Sequence, residues 1–369
     1  MSFLDELSQY TPESIETYSD KVSGEIVLRT LEKERLTAED FLCLLSPAAS
    51  GYLEQMAVKA NALTLKHFGR AVLLYTPIYI ANHCANKCVY CSFNIENDIQ
   101  RVQLTMDEID QEAQLISKEG FQHILLLTGE DRKSTPVSYI IEAVKVLKRY
   151  FDGISIEIYP LATEEYEAVI AAGVTGLTIY QETYDEKRYK ALHLKGPKRN
   201  YDNRLDAPER GAKAGMRFVN IGALLGLKNG PYDAFMTGIH ADYLQRKYPS
   251  VEYGVSLPRM RPHIGEFQDF TPIEDPYFVQ VLLAYRIYLP SLSINISTRE
   301  AGWFREHLIP LGATNLSAGV STQVGGHVGD DDASAPQFEI ADERSLDEVK
   351  RAIENIGYQP VLKNWSGEF

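Results

Sequence analysis

Positive charge is scarce in this chain: 37 Lys and Arg stand against 51 Asp and Glu in 369 residues, a formal net charge of −14. A surface of that sign repels phosphate backbones, which argues against a nucleic-acid partner. Long apolar runs are missing as well. Segments such as 71–80 and 124–127 fall far short of the ~20 residues that a membrane-spanning helix needs. The first residues, Met1 to Glu6, are acidic where a secretory leader would be basic, so the expected compartment is the cytoplasm. Cysteine is scarce too. There are four, Cys43, Cys84, Cys88 and Cys91, and none follows Cys91. Three within eight residues, in a reducing compartment, make a metal pattern before a disulfide pattern.

What is present is regular alternation. Residues 11–69 read as helical, with few breakers and a long stretch from Tyr52 to His67. Buried strands then fit 71–80, 123–127, 154–159, 174–180, 218–224, 251–257, 292–296 and 314–318, separated by segments of helical period. Eight such βα units predict a TIM-type (β/α)8 barrel in an α/β chain. A doubly wound open sheet would show the same alternation. The expected organisation is an N-terminal helical segment over 1–70, the barrel over 71–320 and a C-terminal extension over 321–369 packed on it.

The strands carry a finer signal. In 154–159 the isoleucines share one face and leave Ser155, Glu157 and Tyr159 on the other. Thr178, Tyr180 and Glu182 oppose Leu177 and Ile179, and Ser293, Asn295 and Ser297 oppose Ile294 and Ile296. A plain barrel core would be filled by branched apolar residues. This interior is polar toward its C-terminal mouth, as a cavity for a large polar ligand would be.

Cys84, Cys88 and Cys91 form C-x3-C-x2-C directly after the first strand. Thiolates suit zinc and iron–sulfur clusters. A structural zinc site wants four protein ligands. Cys43 lies in the apolar run 41–45 and reads as a small buried hydrophobe, and His83 is too close to Cys84 to join the same site. Three ligands on a four-iron cubane leave one iron open to a small molecule. Among the basic residues of 187–210, namely Lys187, Arg188, Lys190, Lys195, Lys198, Arg199, Arg204 and Arg210, most read as a solvated surface. One or two could reach an anionic ligand group.

The C-x3-C-x2-C spacing with aromatic Tyr90 before the last cysteine resembles the signature of the radical S-adenosylmethionine superfamily. The resemblance implies a [4Fe-4S] cluster on the three cysteines and S-adenosylmethionine on the open iron. Thr128, Gly129 and Glu130 stand where that superfamily has Gly-Gly-Glu, whose carbonyls accept from the methionyl ammonium; Thr128 is a departure. Glu182 and Arg204 resemble the pair that grips the amino and carboxylate groups, and 222–226 resembles the adenine-contacting turn. Glu157 is implied near the ribose, or near a substrate phenol.

Over most of the chain the similarity is greatest to the 2-iminoacetate synthase family, tyrosine lyases of thiamine thiazole biosynthesis. It rests on 158–161, 180–184, 256–262, 297–300, 317–322 and 337–345. It implies cleavage of the Cα–Cβ bond of L-tyrosine to 2-iminoacetate and p-cresol, with 5′-deoxyadenosine and methionine released. Arg299 and Arg259 are the candidates for the tyrosine carboxylate, with Ser256 a nearby polar contact. A thiazole synthase partner and a reducing flavoprotein or ferredoxin are implied too. The related tyrosine-cleaving hydrogenase maturases carry further C-terminal cysteines, which this sequence lacks. The other readings are a maturase-like protein without its second cluster, or a non-catalytic iron–sulfur or zinc protein.

Overall fold

The computed structural model describes residues 2–328 and 334–363, so the extension read as 321–369 lies partly outside the described residues. Eight parallel strands close into a barrel: β1 (Ala71–Ala81), β2 (His123–Thr128), β3 (Gly153–Glu157), β4 (Gly176–Glu182), β5 (Phe218–Ala223), β6 (Glu252–Ser256), β7 (Ser293–Ile296) and β8 (Asn315–Ser317). Each pairs with its sequence neighbour, and β8 returns to β1 through Leu73↔Asn315 to Tyr75↔Ser317. That closure decides between the barrel and the open sheet. Among the described residues, five α-helices and one 3-10 helix between residues 3 and 68 precede β1. Among the described residues no helix is long and apolar enough to cross a membrane.

Local chemistry places the elements. Thr105 and Glu108 form a reciprocal cap that starts the helix Met106–Lys118, satisfying two of its orphan donors. Ile124 and Leu126 of β2 are fully buried against the helices, while Leu125 faces the lumen, as a period of two requires. Ser155, Thr178, Tyr180, Ser293 and Asn295 line the lumen as their alternation predicts. The pattern breaks at Tyr159. Strand β3 ends at Glu157, Ile158 turns to the mouth cavity, and the Tyr159 hydroxyl donates to the Thr135 carbonyl.

A ninth strand, β9 (Gln359–Val361), has no counterpart in the strand pattern. It pairs parallel with the start of β1. Leu73 pairs with Asn315 on one edge and Val361 on the other, so β9 occupies the edge that β2 takes from Thr76 onward. At the opposite end, residues 337–342 cross the mouth. Gln337 N donates to Thr322 O, Glu339 N to Pro262 O and Ala341 N to Thr298 O. Asp342 anchors this segment on Arg305 and Arg344.

Arg286, on the helix Asp275–Tyr288, is fully buried and donates to the carbonyls of Pro290, Leu292 and Gly312 at 2.7–2.8 Å. Its guanidinium lies over the Phe68 ring, 4.6 Å from the centroid, so one side chain joins the N-terminal helices to the entries of β7 and β8. Burial lowers its pKa to about 9. Arg286→Met strands three buried carbonyls and should cost about 3 kcal/mol. An unchanged urea midpoint would show that these bonds do not support the barrel.

Candidate active site at the barrel mouth

After β1 the chain enters an irregular loop, 82–104, whose backbone is satisfied by side chains and by scattered backbone bonds rather than by a regular ladder. Asn82 accepts from Val102 N through Oδ1 and donates to Gln100 O. Asn97 donates to the carbonyls of Ser92 and Cys91. Residues 192–195 clamp the loop from outside: Val89 N donates to Leu192 O, Leu194 N to Lys87 O and Lys87 N to Lys195 O. Tyr90 donates to His193 Nε2 at 2.7 Å, because His193 Nδ1 must carry the proton given to the Tyr189 carbonyl. Burial keeps that imidazole neutral.

Cys84, Cys88 and Cys91 line one cavity with Tyr90, Thr128, Gly129 and Glu130. Burial raises all three thiols, Cys91 to about 12 with the charge of Cys84 adding to it, while Lys198 opposes the rise. Thiols in this state ionise when a metal takes the charge. Cys43 is buried elsewhere, accepting from Thr30 at 3.6 Å, so the donor set is three thiols. Gly129 is required by space, since a Cβ there would lie 2.2 Å from the His83 carbonyl. Thr128 is tolerated, and its buried Oγ1 has no partner at the cavity wall. Three thiols beside the unpartnered Thr128 Oγ1 fit a cluster with a ligand on its open iron.

Beside the thiols lie two carboxylates and two cations. Glu182 is 2.7 Å from Lys198 and 3.8 Å from Arg204; Glu130 is 2.8 Å from Arg204 and 3.8 Å from Lys198. Glu182 and Arg204 therefore share a site, but each has a nearer partner of opposite charge. Burial opposes ionisation of both carboxylates, yet the two cations hold their pKa values below the usual range. Glu182 adopts φ 70° at a bulge of β4 against β5, a conformation that costs on the order of 1 kcal/mol and is typical of functional positions. Lys198 has no distinguishing mark within its basic run; the informative residue is Gly196. At φ +90°, its Cβ would lie 2.4 Å from both Ala85 O and Asn86 Oδ1. This close approach lets Lys198 N donate to Asn86 Oδ1, while Asn86 Nδ2 donates to Glu130.

Farther from the thiols, the same cavity is lined by Glu157, Tyr180, Ser256, Arg299 and Phe338. The Arg299 guanidinium lies 3.4 Å from the centroid of Phe338. Among the described residues no carboxylate pairs with it. Glu157 is pushed up to about 7 by burial and then by Glu182. Ser256 Oγ accepts from Asn220 at 2.8 Å and from Tyr180 at 3.2 Å, and Asn295 extends this network. Leu224 is what the 222–226 turn contributes to the cavity wall. Arg259 does not join the cavity. It is bound to Glu300, to Asp275 at 2.8 Å and to the Ile273 carbonyl, and it stacks near Phe278 and Phe304. The neighbouring strand end supplies its counter-charge, so it is a structural ion-pair member.

The Radical SAM superfamily model matches residues 78–236, and the Biotin and Thiamin Synthesis associated domain model matches 256–359. Fold, thiol loop and these matches define a radical S-adenosylmethionine barrel, the class that holds a [4Fe-4S] cluster and S-adenosylmethionine. The chain is 40% identical to the 2-iminoacetate synthase of Escherichia coli (strain K12) over 340 residues, 92% of this chain and 90% of that one. It is 39% identical to the 2-iminoacetate synthase of Salmonella typhimurium (strain LT2) over the same shares. The solved FeFe-hydrogenase maturase HydG from Carboxydothermus hydrogenoformans matches at TM-score 0.87 and 29% identity, covering 98% of this chain and 83% of that one. The chain belongs to the 2-iminoacetate synthase family.

The raised pKa of Glu157 has a signed consequence. Its folded value, about 7, exceeds the ordinary 4.5, so its contribution to stability is full below about 4.5 and lost as pH rises through 7. Glu157→Gln should therefore gain in Tm over the parent between pH 4.5 and 7. Parallel Tm profiles would show that this carboxyl titrates normally.

Proposed function

We propose that this chain is a radical S-adenosylmethionine lyase that splits the Cα–Cβ bond of L-tyrosine to 2-iminoacetate and p-cresol, for the thiazole of thiamine. Membership of the 2-iminoacetate synthase family supports it. The observation that carries it is a single cavity with two settings for a zwitterion: the charges around Glu130 and Glu182 beside the thiols, and Arg299 farther in. When bound, the cluster and S-adenosylmethionine would supply one-electron reductive chemistry as the source of a radical that abstracts hydrogen from the substrate.

The residues divide the remaining work. Cys84, Cys88 and Cys91 would hold the cluster. The backbone of Thr128 and Gly129, with Glu130 and Glu182, receives the methionyl ammonium, and Arg204 faces its carboxylate. Tyr90, fixed by His193, packs at the cluster. Arg299, stacked on Phe338, takes the tyrosine carboxylate, for which a planar fork gives bidentate geometry. Glu157, poised near neutrality, suits proton exchange with the substrate or contact with the ribose, and Ser256 holds Tyr180 in place. A thiazole synthase receiving the labile 2-iminoacetate, a reducing flavoprotein or ferredoxin as electron donor, and a cytoplasmic location complete the proposal.

Anaerobically reconstituted protein with reductant, S-adenosylmethionine and L-tyrosine should release p-cresol and 5′-deoxyadenosine together. Deoxyadenosine without p-cresol would sink the tyrosine assignment and leave the superfamily intact. Arg299→Ala should raise the KM for tyrosine about 100-fold, the loss of roughly 3 kcal/mol from a charge-assisted pair. Arg259→Ala should lower Tm and leave that KM near the parent value. The reverse pattern would exchange the two arginines' roles.

A further inference from the structure

Arg101 closes the cysteine loop and has no role in the account above. Its Nη1 donates to the carbonyls of Asn82 and Phe93, both at 2.9 Å; its Nη2 donates to Asn94 O at 2.6 Å and Asn97 O at 3.3 Å. One acceptor lies before Cys84 and three lie after Cys91, so a single planar fork ties the two ends of the loop together. Few side chains can do this, because only guanidinium offers several donors in one rigid plane.

Its charge is as distinctive as its geometry. Among the described residues no carboxylate pairs with Arg101, and the titratable groups that interact with it are Cys84 and Cys91. Three other cations close to the loop are paired: Lys87 with Glu96, Lys198 with Glu182 and Arg204 with Glu130. A cluster on three thiolates gains negative charge when it accepts an electron, and its potential follows net charge and hydrogen bonding around it. An unneutralised cation in a half-buried setting therefore favours the reduced state.

We propose that Arg101 is the positioning residue of the iron–sulfur centre, arching the cysteine loop around the cluster and making the cluster easier to reduce. This rests on the cluster reading of Cys84, Cys88 and Cys91. The test compares parent, Arg101→Lys and Arg101→Gln after anaerobic reconstitution, reading iron per chain and the midpoint potential followed by electron paramagnetic resonance. The lysine variant keeps the charge and loses the fork, so it should keep the parent potential and hold less iron. The glutamine variant should hold less iron and shift its midpoint to a more negative value.

Full iron content in both variants would overturn the positioning role, and a parent-like potential in the glutamine variant would overturn the electrostatic one. If the glutamine variant holds no cluster, the lysine variant decides alone: a shifted potential there also counts against the proposal. Cluster-free samples of all three should share one circular dichroism spectrum, and their Tm values should differ by no more than the loss of a few part-buried hydrogen bonds. A large loss of Tm without the cluster would make Arg101 a general folding residue and end the proposal. A parent protein that takes up no iron would overturn the cluster reading itself.

Discussion

The 2.7 Å contact between Lys198 and Glu182 joins the parts of the barrel mouth that must meet. Glu182 comes from the end of β4 in a strained conformation, and Lys198 comes from a turn pressed against the cysteine loop by Gly196. Asn86 links that turn to Glu130 at the end of β2. Each buried charge here is tolerable only because an opposite one lies within about 4 Å, since an isolated buried ion costs several kcal/mol. Removing any one member leaves its partner to be desolvated for nothing. The loop that carries the thiols is thus held by the same charges that face the ligand.

This arrangement divides the cavity by electrostatic state. Near the thiols, positive and negative side chains are matched. Farther in, Arg299 is stacked on an aromatic ring and, among the described residues, forms no ion pair, and Glu157 sits near neutrality. A zwitterion entering the first zone exchanges partners within a balanced group, while one entering the second meets an uncompensated cation. The two ligands of the proposed reaction are both amino acids at one end, and the difference between these zones is a physical basis for telling them apart.

Much of this was legible in the sequence, and the exceptions share a cause. Alternation exposed the eight strands and the polar lumen because residues two apart must share a face. Three closely spaced cysteines after a strand pointed to the proposed metal site, and the structure brings them to one cavity. Arg259 and Arg299 read alike, each following a barrel strand; only the fold shows that Glu300 reaches the first and not the second. Lys198 looked like one more surface lysine, and Arg101 carried no motif, since its acceptors are backbone carbonyls with no side-chain signature. The strand β9 escaped because three residues are too few to display a period.

The segment 337–342 has a consequence in time. Phe338 forms the wall on which Arg299 rests, yet it lies beyond all eight barrel strands in the chain. A polypeptide emerging from the ribosome would have its three cysteines exposed long before that wall exists. A chain cut short after β8 would keep the three thiols and lack the ring on which Arg299 rests. Such a fragment would leave uncovered the mouth that residues 337–342 cross in the finished molecule.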